Sequence, residues 1–323
     1  MPARTHATRG LRPRRAGGAR RDGGPFRVAI LSRNRKLYST RRLREAARVL
    51  GHEAFVLDTL RCNPVLGRAA PRIFYRGEEV TGFGVVIPRI GASITGYGLS
   101  VVYQFDLMGV PVLNDSAAIA RSRDKLRALQ LLSRFGIDIP RTVMCRFRDE
   151  VPLAVEQVGG LPCIIKIIQG TQGVGVLIAN TMVEVEGMLD TLWTLGQDIL
   201  LQELIAESRG RDVRALVIGD RVVAAMRRTA REGEFRSNIH RGGEGQAVEL
   251  PREYVEAAVK AARVIGLEVA GVDVLESRAG PKIMEVNSSP GFEGLERVTG
   301  IDIASQYVQH AAEFGKARTA ART

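Results

Sequence analysis

Val272-Asp273-Val274-Leu275-Glu276 and Ile283-Met284-Glu285-Val286-Asn287, with Arg278-Ala279-Gly280-Pro281 between them, read as two strands joined by a tight turn. A turn centred on Ala279 sets Glu285 opposite Asp273 and Asn287 opposite Gly271. The two-residue strand period then puts both carboxylates and the amide on one face, while Val272, Val274, Met284 and Val286 face a core. Opposed acids repel unless a cation lies between them. An all-oxygen set with room for water and phosphate suits magnesium. The plain alternative is a polar edge turned to solvent. Ser288-Ser289-Pro290-Gly291 ends the second strand in a loop beside the same place.

Working back along the chain, Lys166 interrupts Cys163-Ile164-Ile165-Lys166-Ile167-Ile168, a run otherwise apolar enough to be buried on both faces. A buried ammonium needs a negative partner. Gly170-Thr171-Gln172-Gly173-Val174-Gly175 follows, then a second apolar strand, so the backbone amides of a glycine-rich turn and the lysine could together hold phosphates. A strand, not a helix, follows the glycines, which excludes the Rossmann and Walker patterns. Taken alone, the glycines describe only a turn, and Lys125 in Arg121-Ser122-Arg123-Asp124-Lys125 reads as solvated helix charge.

Between these clusters, Leu200-Leu201-Gln202-Glu203-Leu204-Ile205 resembles a strand running into a connector whose exposed backbone could read an adenine edge. Asp212 could take ribose hydroxyls, although a surface turn would look the same. Residues 227–243 gather Arg227, Arg228, Arg231, Arg236, His240 and Arg241 among glycines with no regular period. Such a stretch is either a solvated loop or a cationic lid; its single aromatic, Phe235, argues against a stacking platform for single-stranded RNA.

The remaining pattern is that of an α/β and α+β chain. Residues 26–32 and 53–58 read as strands around a helix at 39–50, and short strands at 85–88 and 110–113 flank a helix at 97–108, giving a small open α/β domain over 26–114. A single linking helix is expected within 115–139, an α+β lobe over 140–205, and a third segment over 206–313 that carries the hairpin, with 314–323 as a tail. The 323 residues include 45% apolar ones, with no run long enough to cross a bilayer. Three dispersed cysteines, Cys62, Cys145 and Cys163, suggest neither a disulfide framework nor a zinc site, and a cytoplasmic location is expected.

Lys and Arg exceed Asp and Glu by 12, and residues 1–25 alone carry seven arginines against Asp22. This basic segment cannot build a core. A disordered extension or an upstream start codon accounts for it plainly, and a basic arm touching RNA is the sharper reading. Direct nucleic-acid binding is not expected elsewhere.

In order along the chain, Lys125, Lys166 with its glycine turn, Gln202-Glu203, Asp212, Asp273 and Glu285-Val286-Asn287 resemble the ATP-grasp superfamily. More narrowly, Val28-Ala29-Ile30-Leu31-Ser32-Arg33, Pro88-Arg89-Ile90-Gly91, Ala120-Arg121-Ser122-Arg123-Asp124-Lys125, Gly170-Thr171-Gln172-Gly173 and Phe235-Arg236-Ser237-Asn238-Ile239-His240-Arg241-Gly242-Gly243 are similar to the RimK family. These are bacterial ligases that add glutamate to the C-terminus of a small-subunit ribosomal protein. The resemblance implies an ATP-grasp fold behind an N-terminal pre-ATP-grasp domain, and it spans residues 26–313.

By the same resemblance, Lys125 and Lys166 contact ATP phosphates, Gln202, Glu203 and the Leu204 backbone hold adenine, and Asp212 contacts ribose. Arg236, Ser237 and Asn238 reach the nucleotide from the lid, and Asp273, Glu285 and Asn287 carry magnesium, two ions with manganese as a substitute. Leu204 stands where the family often has an aromatic. Catalysis is assigned to charge neutralisation by Lys166 and Arg236 together with the metal held at Asn287. Arg89, Arg228, His240 and Arg241 are candidates for the carboxylates of L-glutamate and of the acceptor tail. The implied assembly is a homotetramer. Two other readings stay open: the same chemistry on an amino-group carrier protein or a pterin or deazaflavin cofactor, and a non-catalytic, nucleotide-regulated RNA- or ribosome-binding protein.

Overall fold

The computed structural model describes residues 25–168, 175–231 and 243–322. The first region runs β1 (Arg27–Leu31), α1 (Tyr38–Val49), β2 (Glu53–Leu57), β3 (Cys62–Val65), β4 (Arg72–Tyr75), β5 (Glu78–Glu79), β6 (Val85–Pro88) and α2 (Thr95–Leu107). β1 lies between β2 and β6, parallel to both. Helices cover both faces of such a sheet, so Val28, Ala29, Ile30 and Leu31 are apolar without alternation and fully buried. The small antiparallel sheet β3–β4–β5 has no counterpart in the sequence expectations, because its strands are short and one contains Pro64.

The single linking helix expected over 115–139 is two helices, α3 (Ser116–Arg123) and α4 (Lys125–Arg134). Asp124 breaks them apart. Its backbone is extended (φ −88°, ψ 100°), and its carboxylate accepts from Arg127 N at 2.9 Å, which is what a short acid does at a helix start. Next come β7 (Thr142–Val143), α5 (Val151–Gln157), β8 (Cys163–Ile167), β9 (Val176–Ala179), α6 (Met182–Thr194) and β10 (Ile199–Glu203), whose strands form one sheet in the order β7-β10-β8-β9.

The chain continues through β11 (Arg211–Ile218), β12 (Arg221–Thr229), β13 (Glu244–Ala247), α7 (Arg252–Ile265), β14 (Val269–Ser277), β15 (Gly280–Asn287), α8 (Glu293–Thr299) and α9 (Ile303–Ala320). The antiparallel sheet β13-β12-β11-β14-β15 has α4 and α7 packed on one face through Leu132, Ala258, Ala262 and Ile265. Its opposite face meets α9 and the first domain through Leu216, Ile218, Tyr307 and Val308. α9 therefore runs through residues 314–320, which the sequence reading left as a tail. Gly315 allows this: a Cβ there would lie 2.7 Å from Gly84 O and 2.8 Å from Phe26 Cζ.

Asn114 ties the first domain to this sheet. Its buried amide donates to Val269 O (2.8 Å) and Ser288 O (3.0 Å), and its oxygen accepts from Glu268 N (2.7 Å) and Val269 N (3.0 Å). All its hydrogen-bonding capacity on the amide oxygen and nitrogen is thus spent at the two ends of the β14–β15 hairpin.

Candidate active site

One face of the five-stranded sheet serves two purposes along its length. On β11, Leu216 and Ile218 enter the core while Asp212 and Arg214, on the same face by strand period, enter a cleft. On β12, Met226 and Arg228 likewise reach the cleft, and on β14 Asp273 and Leu275 do. The cleft encloses about 770 Å³ between this sheet, the β8–β10 sheet, and the loops after β6 and β15.

The hairpin pairs Gly271 with Asn287, Val272 with Val286 and Asp273 with Glu285, as the alternation predicts. The route differs. From the turn, Ser277 pairs with Gly280 and Val274 with Ile283, so a turn of two residues is offset by a bulge that leaves Met284 unpaired. Met284 therefore lines the cleft, not the core, and Ile283 takes the buried position beside Val274. A Cβ on Gly271 would meet Pro290 Cβ at 2.7 Å, which explains a glycine opposite Asn287.

Asp273 already has cationic partners. Arg214 donates Nε to Oδ1 and Nη2 to Oδ2, both at 2.7 Å, and Arg228 Nη2 lies 3.1 Å from Oδ1. Arg228 also grips Asp212 through both carboxylate oxygens, at 2.6 and 2.5 Å, with both side chains 3% exposed. Burial pushes the Asp273 carboxyl up, but the two guanidiniums outweigh it and hold it below the usual carboxylate range. The sequence reading aimed Asp212 at a ribose and Arg228 at a substrate carboxylate; here each satisfies the other at the cleft wall.

Glu285 has no hydrogen bond or ion pair among the described residues. Burial, then the Asp273 charge, raises its pKa, against the pull of Arg214, Lys125 and Lys166. Lys166 projects from β8, and burial pushes its ammonium down to about 8 while Glu285 draws it back up and Lys125 depresses it further. The break at Asp124 places Lys125 in the first turn of α4, where Nζ donates to Ile167 O at 3.1 Å, and burial lowers its pKa as well. The two lysines expected to share phosphates thus meet in one cleft.

At its other end, Gln202 is buried and donates Nε2 to Thr142 Oγ1 at 2.7 Å. Glu203 accepts from Arg141 N (3.0 Å) and Arg141 Nη2 (3.2 Å). Leu204 lines the cleft just past the end of β10. Arg236, Ser237, Asn238, His240, Arg241 and the turn 170–174 lie outside the described residues.

Arg89 does not line the cleft. Its Nη2 donates to Pro290 O (2.7 Å) and Ser39 Oγ (3.1 Å), so it braces the loop after β15 from behind. The cleft wall in front of it carries Arg123, from the Ala120–Lys125 stretch. Arg214 was missed; its signal was a cation two residues from Asp212 on the same strand face.

The donor set fits magnesium. Glu285 is unpaired and Asn287 Oδ1 accepts no hydrogen bond among the described residues, so both offer oxygens to a cation, while the buried, unpartnered Asn287 Nδ2 can only donate. On Asp273, Oδ1 takes two bonds but Oδ2 only one, which leaves acceptor capacity.

Two family matches cover this architecture: the RimK PreATP-grasp domain over residues 26–119 and the RimK-like ATP-grasp domain over residues 122–311. A probable alpha-L-glutamate ligase of Ectopseudomonas mendocina (strain ymp) is 52% identical over 300 residues, covering 92% of this chain and 100% of the relative. One from Nitrosococcus oceani is 50% identical over 297 residues, covering 91% and 99%. Among solved structures, the ATP-grasp ligase PsnB complexed with minimal precursor superposes with a TM-score of 0.72 at 24% identity, over 90% of this chain and 99% of that one. A RimK domain protein from Sphaerobacter thermophilus DSM 20745 gives 0.65 at 23%, over 88% and 99%. The chain belongs to the RimK family of ATP-grasp proteins and is an ATP-dependent carboxylate–amine ligase.

Proposed function

We propose that this ligase adds L-glutamate to the C-terminal glutamate of a small-subunit ribosomal protein in the cytoplasm, using ATP and magnesium. The observation that carries the reading is the convergence of Lys125, Lys166, Asp273, Glu285 and Asn287 on one cleft, with Glu285 and the Asn287 amide left open. The relatives at 50–52% identity, which the chain matches over nearly their whole length, bear the name of glutamate ligases and support the choice of amine.

The acceptor carboxylate attacks the γ-phosphorus of ATP; ADP leaves and an acylphosphate forms. The amino group of glutamate then attacks the acyl carbon, phosphate leaves with the C–O bond electrons, and the amine gives up a proton as the peptide bond forms. No protein nucleophile is needed. Lys125 and Lys166 neutralise phosphate oxygens as charge moves from the γ-group to the leaving ADP. Asp273, Glu285 and Asn287 would hold the metal, two ions in this reading with manganese as a substitute, which when bound would screen the phosphates from the acids. Arg214 and Arg228 keep Asp273 ionised for that role. Arg236, Ser237 and Asn238 are proposed to close over the nucleotide.

The test is to incubate the protein with ATP, magnesium, L-glutamate and purified small-subunit ribosomal proteins and weigh the products. Added glutamyl masses on one protein are expected. Glutamylation of an amino-group carrier protein or a cofactor instead, or ADP formation without a ribosomal product, would overturn the acceptor. Sedimentation of the same preparation checks the expected homotetramer.

A further inference from the structure

Two guanidiniums lie close together at one wall of the cleft, Arg123 lining it and Arg89 behind. Arg123, the last residue of α3, donates Nη2 to Ile90 O at 2.5 Å, and its Nε is buried with no partner. Arg89, behind it, donates to the neutral acceptors Ser39 Oγ and Pro290 O, lies near the Tyr307 hydroxyl and over the Phe292 ring, and has a buried Nη1 without a hydrogen bond. Neither makes an ion pair among the described residues. The hydroxyls of Ser288 and Ser289 next to them are buried and unpartnered too.

Such a group of desolvated donors is costly unless an anion completes it. Burial lowers the pKa of both arginines; Glu285 acts to raise that of Arg123 and the Arg89 charge to depress it, while Tyr307 acts to raise that of Arg89. Glu285 makes no ion pair with Arg123, and its charge also acts on Lys125 and Lys166 and belongs to the proposed metal set. The cleft therefore has room for one more negative group at this wall, apart from the phosphates that the two lysines serve. Of the four members, Arg123 and Ser289 line the cleft, together with Ser39, Gly91 and Gly291.

We propose that Arg123 and Ser289 form a carboxylate subsite that receives a substrate carboxylate at the wall between the loop after β6 and the loop after β15. Arg123 supplies the charge and the guanidinium N–H donors not given to Ile90 O, and Ser289 a hydroxyl donor. Arg89 holds Pro290, and through it the neighbouring Ser289, in place. The carboxylate belongs either to the acceptor or to the incoming amino acid. This naming of substrates rests on the ligase reading above, but the subsite itself does not.

Kinetics of Arg123→Met and Arg123→Lys separate the sources. In Arg123→Met the KM of one carboxylate substrate should rise about tenfold to hundredfold, the loss of a charge-assisted hydrogen bond, with the nucleotide Kd unchanged. Arg123→Lys should fall between Met and wild type. A higher KM for glutamate alone assigns the subsite to the amino acid, and a higher KM for the acceptor alone assigns it to the acceptor. If both KM values stay within twofold, or the nucleotide Kd rises equally, the subsite is refuted. Should the wild type glutamylate nothing, carboxylate-labelled glutarate with a non-hydrolysable ATP analogue and magnesium tests the subsite alone. Line broadening in the wild type that is absent in Arg123→Met supports it, and equal or no broadening in both overturns it.

Discussion

Replacing Lys166 by Met should move stability and nucleotide binding in opposite directions. Burial holds the Lys166 ammonium at about 8 against an ordinary value of 10.5, so the folded protein keeps this charge at a cost. The difference converts to about 3 kcal/mol as a ceiling, since each unit is worth about 1.4 kcal/mol. The sign follows from proton counting. Between pH 8 and 10.5 the unfolded lysine holds a proton that the folded one has shed, so wild-type stability rises across that window relative to the variant. Below pH 8 the penalty is fully present, and Lys166→Met should there be the more stable protein by up to about 3 kcal/mol. Its advantage should shrink towards pH 10. Nucleotide affinity should meanwhile fall by roughly tenfold to a hundredfold at pH 7 through the lost phosphate contact. Urea denaturation at pH 7.0 and 9.5, with titration of a fluorescent ATP analogue, reads both quantities. A variant less stable than wild type at pH 7, or one binding nucleotide equally well, would refute the account of Lys166 as a phosphate-binding cation held against its own desolvation.

Three further substitutions test the frame around the site. Gly315→Ala should destabilise by about 1–3 kcal/mol in calorimetry, because the clash with Gly84 O outweighs a helix-propensity gain of roughly 1 kcal/mol. Asn114→Ala should cost about 3 kcal/mol or more in urea denaturation, since it strips the half-buried Glu268 and buried Val269 amides of their acceptor. Arg228→Met should cost about 3–5 kcal/mol by leaving Asp212 buried without its counter-charge, and Arg228→Met with Asp212→Leu should recover much of that loss.

The hairpin was the most legible part because strand alternation carries side-chain direction directly: Asp273, Glu285 and Asn287 share a face as read. Met284 was misplaced because a bulge leaves no mark in alternation when the residue it adds is apolar. Lys125 could not be tied to Lys166 from spacing, since their meeting depends on a helix break at Asp124 and on packing between separate elements. Arg89 and Arg123 exchanged prominence for a similar reason. Which of two neighbouring cations fronts a cleft is decided by how Pro290 and Ile90 present their carbonyls. The arginine clamp on Asp212 and Asp273 joins three strands, and only the register across β12, β11 and β14 brings it together. α9 was overlooked because its exposed end is weakly amphipathic and its docking depends on the space left at Gly315.

The bulge at Met284 also separates two tasks that a regular ladder would join. Without it, only every second residue of β15 would face the cleft, and any change in bulk there would fall on Glu285 or Asn287 or wait for the next pleat. With it, an apolar side chain stands directly beside Glu285 while the pairing of Asp273 with Glu285 stays pinned. The floor of the cleft can thus be deepened or filled at Met284 by trading Leu, Met or Phe, leaving the acid pair where it is. In an engineering setting, this is the position from which the shape of the cleft could be retuned without moving the acid pair.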